Sequence, residues 1–250
     1  MSAFRSASIG RWRPGTRTEM PPSPQQLLAV MQLSDSGLPI GRFAHSGGLE
    51  AWLHPRGDVC EGDLIRWIET SLRYAAARTD GVAAAHAHRS AECGDVAGML
   101  RVDAELGTCK LSETARRMST SCGRQLAVLA PQLFDNGPVA EFCASIRAER
   151  SSGHLAVVFG AVAAASGLTA EQTVLMEVRS VVSLHLSAAV RLGRLTASRA
   201  QVVQRLLEPA VIVAVQDALS RDLDAMSSSS FEIEIAMMAV RRLDGRMFAT

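Results

Sequence analysis

Aromatic residues are scarce in this chain, 4% of 250 residues. A β-sandwich or barrel wants aromatic and β-branched side chains on its strands, so this shortage argues against one. No stretch shows convincing strand alternation, and no internal repeat is visible. Net charge is nearly absent: 26 basic residues oppose 25 acidic ones, for +1 overall. A general attraction to nucleic acid or to an anionic membrane does not follow from that balance. Lysine is almost missing, since Lys110 is the single one and every other basic residue is arginine. The five cysteines, Cys60, Cys93, Cys109, Cys122 and Cys143, are odd in number and form no C-x-x-C pair. Reduced thiols are therefore expected instead of a disulfide framework.

Long apolar runs are also lacking. The longest, Leu155 to Leu168, is too short to span a bilayer and is interrupted by Gly160, Ser166 and Gly167. The first residues carry Arg5, Arg11, Arg13 and Arg17 without an apolar h-region, so they do not read as a secretory signal. A cytoplasmic protein without membrane or nucleic-acid partners is expected.

What is present is helical. Residues are 48% hydrophobic, chiefly Ala, Leu and Val, which suits closely packed helices. Residues 1–22 are polar and rich in Arg, Ser and Pro, and read as a disordered extension. Order is expected from Ser23, where Ser23-Pro24-Gln25-Gln26 forms a capping box with proline in the first turn. The same signal recurs at Asp58-x-x-Glu61, Thr169-x-x-Gln172 and Ser198-x-x-Gln201, and Asn136-Gly137-Pro138 marks a break and restart.

Two stripes have helical period. One is Val174, Val178, Val181, His185, Ala188, Ala189 and Leu192. The other is Val203, Leu206, Leu207, Ala210, Val211, Ala214 and Ala218, with a kink expected at Pro209. Ser227 to Ser230 reads as a flexible joint before a short tail helix over about 233–243. The expected architecture is all-α: a single-domain bundle of roughly ten helices over 23–226, followed by a joint and tail over 227–250.

Catalytic signatures are missing. Lys110 lies in Cys-Lys-Leu, so there is no Walker A loop, and Gly41, Gly47 and Gly48 do not make G-x-G-x-x-G. His86 and His88 are two apart and diverge on a helix, and no H-E-x-x-H occurs. His185, on an apolar stripe, reads as a hydrogen-bonded core residue. Ser46 follows His45, but adjacency in sequence does not make a nucleophile and base. His45 sits among turn residues and is expected to be exposed, open to a ligand or interface role. The helix around Arg116, Arg117, Ser119, Ser121, Gly123 and Arg124 reads either as lining a polar groove or as a solvated face.

Five stretches, taken in order, resemble the urease accessory protein UreF family. Leu38, Pro39, Gly41, Phe43, Ser46, Gly48, Leu49 and Glu50 match its early signature L-P-x-G-x-F-x-x-S-x-G-L-E. Arg116–Leu126, His154–Gly160, Leu186–Leu192 and Arg246–Thr250 are similar to its later segments. The resemblance implies an all-helical protein that is not an enzyme and carries no cofactor. It implies assembly with the scaffold protein UreD (UreH) and the GTPase UreG, in which nickel reaches apo-urease, and it implies a homodimer.

The loop 38–50 then becomes a recognition segment, with Arg42, Phe43, His45, Ser46 and Glu50 as partner-binding residues and Trp52 as a further apolar anchor. Arg246 and Phe248 form a second such group in the tail. Arg191 is a further candidate, either in docking or as an arginine supplied to a GTPase. Departures from the family pattern fall at His45, Ala197 and the stretch Met238 to Arg241, and imply altered docking there. Two other readings compete: a small-molecule-binding helical regulator, which would want a basic helix-turn-helix near the N-terminus, and a helical enzyme or metal carrier using His45, Glu50 and scattered histidines.

Overall fold

The computed structural model describes residues 21–134 and 136–249. The disordered extension expected over 1–22 lies almost wholly outside them. Among the described residues there are twelve α-helices, four short 3-10 turns and no strand.

In chain order the helices are α1 (Pro24–Ser34), α2 (Leu49–Leu53), α3 (Glu61–Tyr74), α4 (Asp80–Glu92), α5 (Val96–Cys109) and α6 (Glu113–Leu133). They continue as α7 (Gly137–Arg147), α8 (Leu155–Ala165), α9 (Ala170–Arg191), α10 (Ala197–Leu206), α11 (Glu208–Ser220) and α12 (Phe231–Ala239).

The apolar run at 155 becomes α8, the centre of the bundle. Leu155 to Ala163 are all buried along it. It packs against α4, α6 and α9. Alanine explains how the helices come so close: Ala83, Ala84, Ala85 and Ala87 on α4 are fully covered. A Cβ on Gly160 of α8 would come within 2.5 Å of the Ala84 carbonyl oxygen. Small residues thus replace the missing aromatics by bringing backbones together. The larger side chains fill the rest: Leu72, Leu106, Leu126 and Phe142 are completely buried, each contributing about 1.5–3 kcal/mol.

Helix starts follow the caps. The Ser23 hydroxyl accepts from the Gln26 N–H and the Gln26 side chain returns the bond, and Thr169 and Gln172 do the same for α9. Asn136 accepts from the Val139 N–H to start α7. Each such cap contributes about 1 kcal/mol.

Two starts fall two residues from where the sequence placed them. α3 begins after Cys60, whose N–H donates to Asp63, because Gly57 to Val59 runs irregularly and Arg194 holds the Gly57 carbonyl at 3.2 Å. α10 is capped by Thr196, not Ser198, and Arg199 in its first turn pairs both nitrogens with Glu61. Pro209 does not kink a helix. The chain turns at Leu207 and Pro209 sits in the first turn of α11, where its missing N–H has no partner to lose.

The arginine–serine helix α6 is a packing helix. Ser119 is buried and accepts from the Leu155 N–H, while Arg124 donates to the Ser152 carbonyl. Ser227 to Ser230 crosses the end of α3, where Ser227 and Ser229 donate backbone N–H groups to the carbonyls of Arg78 and Tyr74. It leads into α12, which lies against α2 and α6. α9 is long and apolar enough to cross a membrane by length and composition, but its apolar face is bundle core.

Candidate docking site

The glycine-rich loop between α1 and α2 is shaped by its backbone. Gly47 and Gly48 both have positive φ, 62° and 86°. A Cβ on Gly47 would lie 3.0 Å from His185 Nε2, and one on Gly48 would lie 3.2 Å from the Met237 backbone nitrogen. The two glycines therefore let the loop pass between α9 and α12 without the strain that a side chain at positive φ and so tight a contact would bring.

The squeeze corrects one expectation. His45 is buried, not exposed, and Ser46 is wholly covered. Burial first, and the Arg42 guanidinium second, hold His45 below its ordinary pKa, so it is a neutral interior group at pH 7. Trp52 is also interior. Its indole donates to Glu232 at 2.6 Å, it packs on Trp67 at 4.8 Å, and Arg56 stacks over it at 4.7 Å. His185 is the core residue its stripe suggested, with Nδ1 donating to the Val181 carbonyl at 3.0 Å.

The tail returns to the same place. The Glu50 carboxylate accepts the backbone N–H of Met247 at 2.6 Å and of Phe248 at 3.3 Å. The Ala249 N–H donates to the Ala44 carbonyl at 2.8 Å. Phe248 is buried, with the Arg191 guanidinium 4.1 Å from its ring centre. Arg191 also donates to the Phe43 carbonyl at 2.5 Å. Its engagement within the chain favours a holding role over donation in trans.

The structure thus brings Phe43, Glu50, Arg191 and Phe248 into one knot, with Arg246 beside it. Phe43 and Met247 stay half or more exposed, at 51% and 60%, and Arg246 is exposed too. Arg42 leaves this surface and turns inward to Glu177, 3.1 Å away. A groove of about 600 Å³ opens beside the knot, lined by α1, α9 and α10 and including Phe43, Arg179 and Arg191.

Beneath the loop lies something sequence reasoning missed, a chamber of about 110 Å³ holding Glu177, Asp80, Lys110 and Glu234. Glu177 lies four residues before Val181 on the apolar stripe, so its inward position was readable from spacing; its partners were not. Among the described residues all five cysteines are free, and burial pushes the Cys143 thiol up to about 11. No group of three or more His, Cys, Asp or Glu among them is placed to hold a metal ion.

The UreF family model matches residues 60–208, more than half of the chain. The chain belongs to the UreF family. A urease accessory protein UreF from Rhodopseudomonas palustris is 31% identical over 94% of this chain and 97% of its own length. UreF proteins of Geobacillus kaustophilus and Trichodesmium erythraeum are 29% and 30% identical, over 90% and 89% of this chain. Those relatives are named as accessory proteins of urease, not as urease itself. The matched UreF span begins at the start of α3 and ends at the first residue of α11, so the loop and the tail stand outside it while Arg191 lies within it.

Proposed function

We propose that this chain is the bridging factor of urease maturation. It joins the scaffold UreD (UreH) to the GTPase UreG and so serves delivery of nickel to apo-urease, working as a homodimer in the cytoplasm. Nickel is cargo in this reading. The chain contributes a docking body, and chemistry stays with its partners.

The observation that carries the reading is the junction of loop and tail. Glu50 and Arg191 fix two segments from opposite ends of the chain into one surface, and Phe43, Arg246 and Met247 project from it. An aromatic, an arginine and a methionine around a rigid base suit a protein interface. Co-expression with UreG and UreD (UreH), followed by size exclusion, tests the reading: all should co-elute with this chain.

Arg246 is exposed and contributes little to the fold. Arg246→Ala should leave stability within about 0.5 kcal/mol. Capture of UreG should fall at least about tenfold, as for an interface arginine. Undiminished capture by that variant would remove Arg246 from the interface.

A further inference from the structure

The Arg42–Glu177 pair links the chamber to the docking loop. Glu177 is 3% exposed in the middle of α9. One of its oxygens accepts from Arg42 at 3.1 Å, while Oε2, equally buried, has no hydrogen-bond partner and faces the chamber. Arg42 begins the 3-10 turn Arg42–Ala44. That turn carries Phe43, and its Ala44 carbonyl accepts the tail's Ala249 N–H. One side chain therefore ties the recognition turn to the interior.

The other titratable groups lining the chamber are Asp80 of α4, Cys109 of α5, Lys110 after it, Cys122 of α6, His185 of α9 and Glu234 of α12. Asp80 and Lys110 are already paired at 2.8 Å. They leave Arg42 as the cation hydrogen-bonded to Glu177.

We propose that Glu177 is a positioning residue for the docking loop: through Arg42 it holds the 3-10 turn down on α9, and when it takes up a proton the turn and the tail bonded to it loosen. The proposal rests on the reading of loop and tail as the docking surface. Burial, and after it the charge of Asp80, raise Glu177 above the ordinary glutamate value against the opposing pull of Arg42 and Lys110. The sign follows. Protonation comes on the acid side, at a higher pH than for a free glutamate, and it removes the charge that holds Arg42. Burial lowers His185, and burial and then Arg42 lower His45, so both gain charge later than a free imidazole would.

Hydrogen exchange of the full chain, corrected for intrinsic rates, tests this at about pH 7.5 and about pH 4.5, the ordinary glutamate value, where a raised carboxyl is at least half protonated. Protection at 41–49 and 247–249 should fall about tenfold at the lower pH, with α8 unchanged. Glu177→Gln should be as loose at the higher pH as the wild type is at the lower, and should not change further. Arg42→Gln breaks the same pair from its less buried side and should behave alike, including where Glu177→Gln does not fold. Equal wild-type protection at both pH values, or full protection in Arg42→Gln, would overturn the tether. If the exchange pattern holds while both variants still capture UreG and UreD (UreH) normally, the tether stands and the docking reading fails instead.

Discussion

Gly123→Ala is expected to destabilise the protein by about 3 kcal/mol, at the upper end for overpacking. The added Cβ would sit 2.1 Å from the Gly153 carbonyl oxygen and 2.7 Å from the Leu155 nitrogen. Both are backbone atoms, so no rotamer change can relieve the clash. The facing segment cannot retreat either. The Asp103 carboxylate accepts from the Ser151 hydroxyl at 2.6 Å, the Gly153 N–H at 2.9 Å and the His154 N–H at 2.7 Å. It ties the segment before α8 to α5, while Ser119 of α6 accepts the Leu155 N–H at 3.3 Å. Urea unfolding should show a midpoint lowered by about 1 M with little change in slope. A midpoint within about 0.2 M of wild type would mean that the helices can part cheaply at this crossing.

Lys110→Met should cost a similar amount, about 3 kcal/mol, for a different reason. Lys110 is the only lysine of the chain and is buried. Its ammonium lies 2.8 Å and 3.0 Å from the two Asp80 oxygens, and the Thr79 hydroxyl donates to the same carboxylate at 3.1 Å. Methionine keeps the length but leaves Asp80 without its cation. Burial pushes the Asp80 carboxyl upward, but Lys110, Thr79 and His154 outweigh it and hold it below the ordinary value.

A depressed carboxylate stabilises above its unfolded pKa and loses that contribution as pH falls through the folded one. The gap between wild type and Lys110→Met should therefore be full at neutral pH and narrow below about pH 4. Adding Asp80→Asn should recover part of the loss, because the uncompensated charge is then gone. A single mutant within about 0.5 kcal/mol of wild type would show that solvent reaches Asp80 well enough to replace its partner.

Local rules of helix capping carried far. Ser23, Asn136 and Thr169 cap the helices that follow them, because a hydroxyl or amide three residues before an N–H needs no distant help. The caps read at Asp58 and Ser198 fall instead at Cys60 and Thr196, beside the tertiary contacts of Arg194 with Gly57 and of Arg199 with Glu61. The apolar stripes placed α9 and α11 in the core. They also marked His185 as interior.

His45 and Trp52 were misjudged for one reason. A run rich in glycine looks solvent-exposed by composition, yet here it is roofed by α12 and by a tail some two hundred residues away in sequence, a non-local closure that no short window contains. The candidate site was half legible. Phe43, Glu50, Arg191 and Phe248 are found together, whereas Arg42 serves the interior and Glu177 had no partner until the fold supplied one.

The claim on which the functional account depends is that Glu50 builds the docking surface by fixing the tail to the loop. Glu50→Ala removes the acceptor of two tail N–H groups and leaves the bundle core untouched. Co-elution of this variant with UreG and UreD (UreH) on size exclusion, beside wild type at equal concentration, is the direct measurement. The account predicts a folded Glu50→Ala chain that elutes apart from its partners, at least about tenfold weaker in binding. A complex formed as fully as with wild type would contradict it.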